Sequence, residues 1–168
     1  MIMLLRVLFA VVLVMVSSAH CADDEDYDYV DTHSGGFGEM YSWQASVQEA
    51  IRKGNDTGMP VMLLIHKVWC KDASKLKDSF LASKKIQALS KRFIMVNTTE
   101  DKEVEGKEFN PDGQYYPRMF FIKDGKVLND VSNEYAENPR QKYFYKSGGR
   151  VLRAMKKALR KIRDTKRN

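Results

Sequence analysis

Cys70 is the residue best placed in this chain to do covalent chemistry. It stands in the run Val61-Met62-Leu63-Leu64-Ile65-His66-Lys67-Val68-Trp69-Cys70-Lys71-Asp72-Ala73-Ser74. An apolar stretch of strand length leads into Trp69-Cys70, and a Lys-rich stretch of helical pattern follows. A thiol at a strand-to-helix junction meets unpaired backbone N–H groups and the positive end of a helix dipole, which favour its nucleophilic thiolate. Lys67 and Lys71 add positive charge, and Asp72 acts the other way. Trp69 is expected to shield one side of the sulfur. A self-resolving dithiol site needs a second cysteine three residues on, where this chain has Ala73. One thiolate can still attack a partner's disulfide and form a mixed disulfide. It cannot close an internal disulfide at this site.

Other residue groups invite chemistry more weakly. His66 lies four positions before Cys70 and allows a Cys–His pair, but a polar residue at a strand end is the expected role. Asn55-Asp56-Thr57 and Asn97-Thr98-Thr99 are acceptor sequences for N-glycosylation. Asn55 falls in what reads as a polar loop, and Asn97 at the end of a buried strand. Asp101, Glu103, Glu105 and Glu108 read as a solvated acidic loop. No His, Cys, Asp and Glu cluster has metal-ligand spacing, so neither a metal nor a cofactor is expected.

These residues need elements to position them. Arg6, the apolar run Val7 to Val16 and the small residues Ser17, Ser18 and Ala19 read as a secretory signal peptide over 1–21, cleaved near Cys21. The run is too short for a transmembrane span of about 20 residues. Residues 22–40 are acidic, then Gly-rich, and read as a flexible leader. One domain is expected over 41–164, and 165–168 form a basic tail. Ser42 is the expected N-cap of a helix over 43–53, closed by Gly54. Val61 to Ile65 reads as a central strand buried on both faces. Helices are expected from about Cys70 to Phe80 and over 84–90, and a strand over 93–97. Strand, helix, strand favours parallel pairing with a right-handed crossover. A polar connection spans 98–116. A third strand over 118–122 turns at Asp124-Gly125 into a short fourth over 126–128. A last helix starts near Ser147, with Val151, Leu152, Met155, Leu159 and Ile162 on one face and basic residues on the other. Alternating Tyr143-Phe144-Tyr145 is expected in the core. The pattern defines an α/β fold.

The formal charge is +6, with an acidic N-terminal stretch and a basic C-terminal helix. No nucleic-acid motif accompanies the charge, so nucleic acid is not an expected partner. The basic helix is expected to bind anionic surfaces weakly.

The chain resembles the small endoplasmic-reticulum thioredoxin-like proteins, thioredoxin domain-containing protein 12 and the anterior gradient family. The resemblance rests on Pro60 to Lys67, Trp69-Cys70, Leu76-Lys77, Phe93 to Asn97, Phe109-Asn110-Pro111-Asp112-Gly113, Tyr116-Pro117-Arg118 and Lys142-Tyr143-Phe144-Tyr145. It implies a thioredoxin fold, a three-layer α/β/α arrangement around a mixed sheet. It also implies a cis-proline loop at Tyr116-Pro117 beside Cys70, and a role in thiol–disulfide exchange or client folding. On that reading Cys70 is the nucleophile, and Trp69, Lys71, Tyr116 and Pro117 shape the client site. Clients of the secretory pathway are the implied partners, with glutathione as a further thiol. Dithiol members carry Cys-x-x-Cys and anterior gradient members Cys-x-x-Ser. Here Cys70-Lys71-Asp72-Ala73 lacks both, with Ser74 one place late. The sequence ends Thr165-Lys166-Arg167-Asn168, which is not a Lys-Asp-Glu-Leu-type retention signal. Residence in the endoplasmic reticulum and secretion both stay open. So does a non-enzymatic binding or signalling role on the same scaffold.

Overall fold

The computed structural model describes residues 33–99 and 101–167. The expected signal peptide, Cys21 and the acidic stretch lie outside the described residues. Three strands and a short fourth form one mixed sheet in the order β2-β1-β3-β4. These are β1 (Val61–Ile65), β2 (Ile94–Thr98), β3 (Arg118–Lys123) and β4 (Lys126–Val127). β1 runs parallel to β2 and antiparallel to β3, and β3 turns back into β4. The helices are α1 (Val47–Thr57), α2 (Lys71–Leu81), α3 (Lys84–Ser90) and α4 (Gly148–Thr165).

Every residue of β1 is buried, because both faces of the sheet are covered. Met62 and Leu64 join Met119 and Phe121 on the face that receives α2, α3 and α4. Val61, Leu63 and Ile65 join Phe120 and Ile122 on the face that receives α1. This is the expected three-layer arrangement. Where α4 meets α2 the backbones nearly touch: a Cβ on Gly148 would lie 2.4 Å from the Ser79 carbonyl oxygen. The Gly148 N–H donates to Ser79 Oγ at 2.8 Å.

The first helix starts and ends four residues later than its apolar stripe suggests. Ser46, not Ser42, is the N-cap, and its hydroxyl accepts from the Glu49 N–H. Trp43 lies outside the helix, bridging to Met95 beside β2. Gly54 is an interior helical residue packed against Val61, and Gly58 ends the helix in the left-handed conformation. Asn55 is therefore an exposed residue of the last turn of α1, not of a loop.

Two further boundaries move. The expected leader does not reach residue 40, because Phe37 is wholly buried between His66 and Phe80, and Ser34 and Tyr41 are buried as well. The connection over 98–116 is not uniformly polar. It contains two 3-10 turns, at Asp101–Val104 and Lys107–Phe109, and it buries Val104 and Phe109. Thr165 belongs to α4 rather than to the basic tail. The hairpin turn forms as expected, with both Asp124 and Gly125 at positive φ. Tyr143 and Tyr145 are buried.

Candidate functional site

The site follows from sheet register. Ile65 at the end of β1 lies opposite Arg118 at the start of β3. The turn after β1 and the loop before β3 therefore emerge side by side. The first carries Val68, Trp69 and Cys70, and the second carries Tyr115, Tyr116 and Pro117. Cys70 is the N-cap residue of α2, with its N–H bonded to the Lys67 carbonyl at 3.0 Å. Its side chain makes no cap hydrogen bond to the helix. The thiol instead donates to the Tyr116 carbonyl at 3.4 Å. The Tyr116-Pro117 bond is cis, as expected. Cys70 is half-buried and unbridged, and Ala73 is buried one turn into the helix.

The rim is aromatic and cationic. Val68 and Trp69 are 84% and 73% exposed, the largest values among the exposed large hydrophobic residues. Trp69 meets the Tyr116 ring edge-on, with centroids 6.2 Å apart. Trp69 thus stands against the loop and is largely open to water. Lys67 Nζ lies 5.4 Å from the centre of the Tyr116 ring, and the Arg118 guanidinium 5.3 Å from it. Lys71 is exposed on the first turn of α2.

Arg118 organises this loop and was not singled out as a site residue from sequence. It is buried, a cost for a cation that good partners must offset. It donates to the Phe109 carbonyl at 2.9 Å and is capped by the Tyr116 ring. Its position directly after Pro117 was the available signal. The far side of the loop is pinned through Asp112, which accepts from the Tyr115 hydroxyl at 2.8 Å and from the Lys142 N–H at 2.6 Å. The Tyr115 oxygen in turn accepts from the Tyr143 N–H. Burial raises the Tyr115 hydroxyl's pKa, so it stays a donor. The Asp112 and Lys142-Tyr143 sequence blocks are thus the supports of one loop.

His66 does not pair with Cys70. It is buried, its Nε2 lies 3.2 Å from Asn97 Oδ1, and Phe37 packs edge-on at 5.0 Å. Asn97 Nδ2 donates to the His33 carbonyl at 2.6 Å. Asn97 therefore uses both ends of its amide inside the fold, whereas Asn55 is open to solvent. Burial, with Lys77 and Lys67 nearby, lowers the His66 pKa below its usual value. Among the described residues, no group of three or more His, Cys, Asp or Glu could hold a metal, and no helix is long and apolar enough to cross a membrane.

A parallel β1–β2 pair, an antiparallel β3–β4 hairpin, a thiol at the head of α2 and a facing cis-proline define a thioredoxin-like protein. The family model described as thioredoxin-like matches residues 42–123. The chain is 31% identical over 133 residues to human "Anterior gradient protein 2 homolog", covering 79% of this chain and 74% of that one. It is 30% identical over 135 residues to human "Anterior gradient protein 3", covering 79% and 80%. A solved chain described as "DsbH Oxidoreductase" is 20% identical, with a TM-score of 0.49, over 71% of this chain and 85% of that one. The chain belongs to the anterior gradient family of thioredoxin-like proteins.

Proposed function

We propose that this protein is a secretory-pathway thiol exchanger that captures client proteins through Cys70 as mixed disulfides. One observation carries the reading: the Cys70 thiol and the Tyr116 carbonyl face each other at 3.4 Å beside the cis-proline. An extended client strand laid along the Tyr116-Pro117 backbone would present its disulfide to that sulfur. The Cys70 thiolate attacks one client sulfur. The client S–S bond breaks, a Cys70–client S–S bond forms, and the other client sulfur leaves as a thiolate. A second client thiolate then attacks the client sulfur of the mixed disulfide and releases Cys70. The net result is a rearranged client disulfide with no oxidant consumed. Glutathione is the other thiol able to release Cys70. With Ala73 in the resolving position, the chain cannot release itself from this site.

Trp69, Lys71, Tyr116 and Pro117 form the client-binding rim, and the expected signal peptide supports the compartment. The exposure of Val68 and Trp69 favours a second reading, a binding protein that holds partners on this rim without a bond to sulfur.

The test is a thiol-trapped, non-reducing gel of the full chain and Cys70→Ala from secreting cells. Adducts that disappear in Cys70→Ala are the expected result. Absence of adducts together with no rescue of a scrambled-disulfide substrate would overturn the exchange reading. Partners that co-purify equally with both forms would establish the second.

A further inference from the structure

From the charge rows of α4, we infer a docking surface for a linear sulfated polysaccharide, remote from the thiol. Helical spacing sorts the basic residues of α4 into two adjacent rows. Arg150, Lys157 and Lys161 form one row, and it is neutralised: Glu137, Glu134 and Asp130 pair with them in turn. Arg153, Lys156, Arg160 and Arg163 form the other. Arg163 pairs with its neighbour Asp164, but among the described residues no carboxylate lies within ion-pair distance of Arg153, Lys156 or Arg160, although Glu134 on the neighbouring flank feels the Arg160 charge.

The second row is built at its N-terminal end. The Arg153 guanidinium lies over the exposed Tyr135 ring, 4.9 Å from its centre. Among the described residues no hydrogen bond engages the Arg153 N–H donors, which remain available to an oxyanion. The Arg150 guanidinium donates to the Tyr135 carbonyl and holds that residue in place. Arg153, Lys156 and Arg160 line a cleft of about 260 Å³ beside it, together with Asn133 and with Glu134, whose carboxylate is held by Lys157. The helix has 18 residues, about 27 Å of length.

Shape and chemistry select the occupant. Val151, Ala154, Met155 and Ala158 are buried in the core, so α4 has no apolar face to insert into a bilayer. A flat anionic membrane would also press against Glu134, Glu137 and Asp130. A chain-like polyanion can follow Arg153, Lys156 and Arg160, with Glu137 and Asp130 to one side and Glu134 neutralised by Lys157. Sulfate groups match the Arg forks and the row's periodic charge.

The experiment measures heparin binding by the full chain as a function of salt, with chondroitin sulfate, phosphatidylserine vesicles and duplex DNA as competitors. Neutralising the row, R153Q/K156Q/R160Q, is expected to weaken heparin binding about tenfold or more and to lower the salt slope by about two to three units. An equal loss of charge on α3, K84Q/K85Q/K91Q, is expected to change binding less than about twofold. C70A is expected to bind heparin normally, which separates this surface from the thiol chemistry. Equal losses in the two triple variants, or tighter binding of the vesicles or of DNA than of heparin, would overturn the inference. Circular dichroism confirms that each variant is folded.

Discussion

At the scale of the residue, what separates this site from a dithiol one is the side chain at position 73. Ala73 is buried on the first turn of α2, three residues beyond Cys70. Ala73→Cys adds one sulfur to that position, an overpacking cost of about 1 kcal/mol. It also supplies the missing resolving thiol. We expect trapped client adducts to fall sharply, and thiol-counting mass spectrometry to find Cys70 bridged to the introduced thiol in the variant. With dithiothreitol as the reductant, insulin reduction is expected to be faster for the variant than for the parent. Persistent adducts at the parental level would show that release is limited by something other than the absent thiol. Cys70, Trp69 and Tyr116-Pro117 were legible because each lies in a short local pattern. Arg118 and Asp112 were not read as site supports. Their roles depend on a carbonyl nine residues away and an N–H thirty residues away, and no local period records such pairs.

At the scale of the element, the strands were the most legible part. β1 is a continuous apolar run, and its length and flanking turns fix it. α1 was misplaced because Trp43 extends the apolar stripe backward, although Ser46 and Glu49 carry a capping-box spacing. Residues 33–38 read as leader because glycine dominates them. Yet Gly35 sits so close to the His66 and Asn97 side chains that a Cβ there would lie 2.5 Å from Asn97 Oδ1. The glycines admit the segment to the surface of the sheet, and Phe37 anchors it. Phe37→Ala should therefore cost about 3–5 kcal/mol, as for a core aromatic. Urea unfolding followed by circular dichroism checks this. A midpoint within error of the parent would mean that the segment adds nothing to the fold.

At the scale of the whole molecule, His66 links β1, β2 and the 33–38 segment, so its protonation is felt as global stability. In the unfolded chain it titrates near its ordinary value of about 6.5. In the folded protein burial holds it lower. Between those two values the unfolded state carries a proton that the native state lacks. Stability is thus fully present above about pH 6.5 and falls as the pH drops through the window below. Urea midpoints measured between about pH 7.5 and 5 should show this decline, and His66→Gln should flatten it. An unchanged slope in the variant would assign the decline to other groups. The chain's two tryptophans also divide between the two ends of this architecture. Trp43 is partly buried with its indole N–H bonded to the Gly38 carbonyl, and Trp69 stands in water beside the Tyr116 ring. The protein's intrinsic fluorescence is therefore expected to combine a buried and a water-exposed emission. The red-shifted emission of Trp69 should then respond to a client on the thiol rim and the blue-shifted emission of Trp43 to unfolding, without any added label.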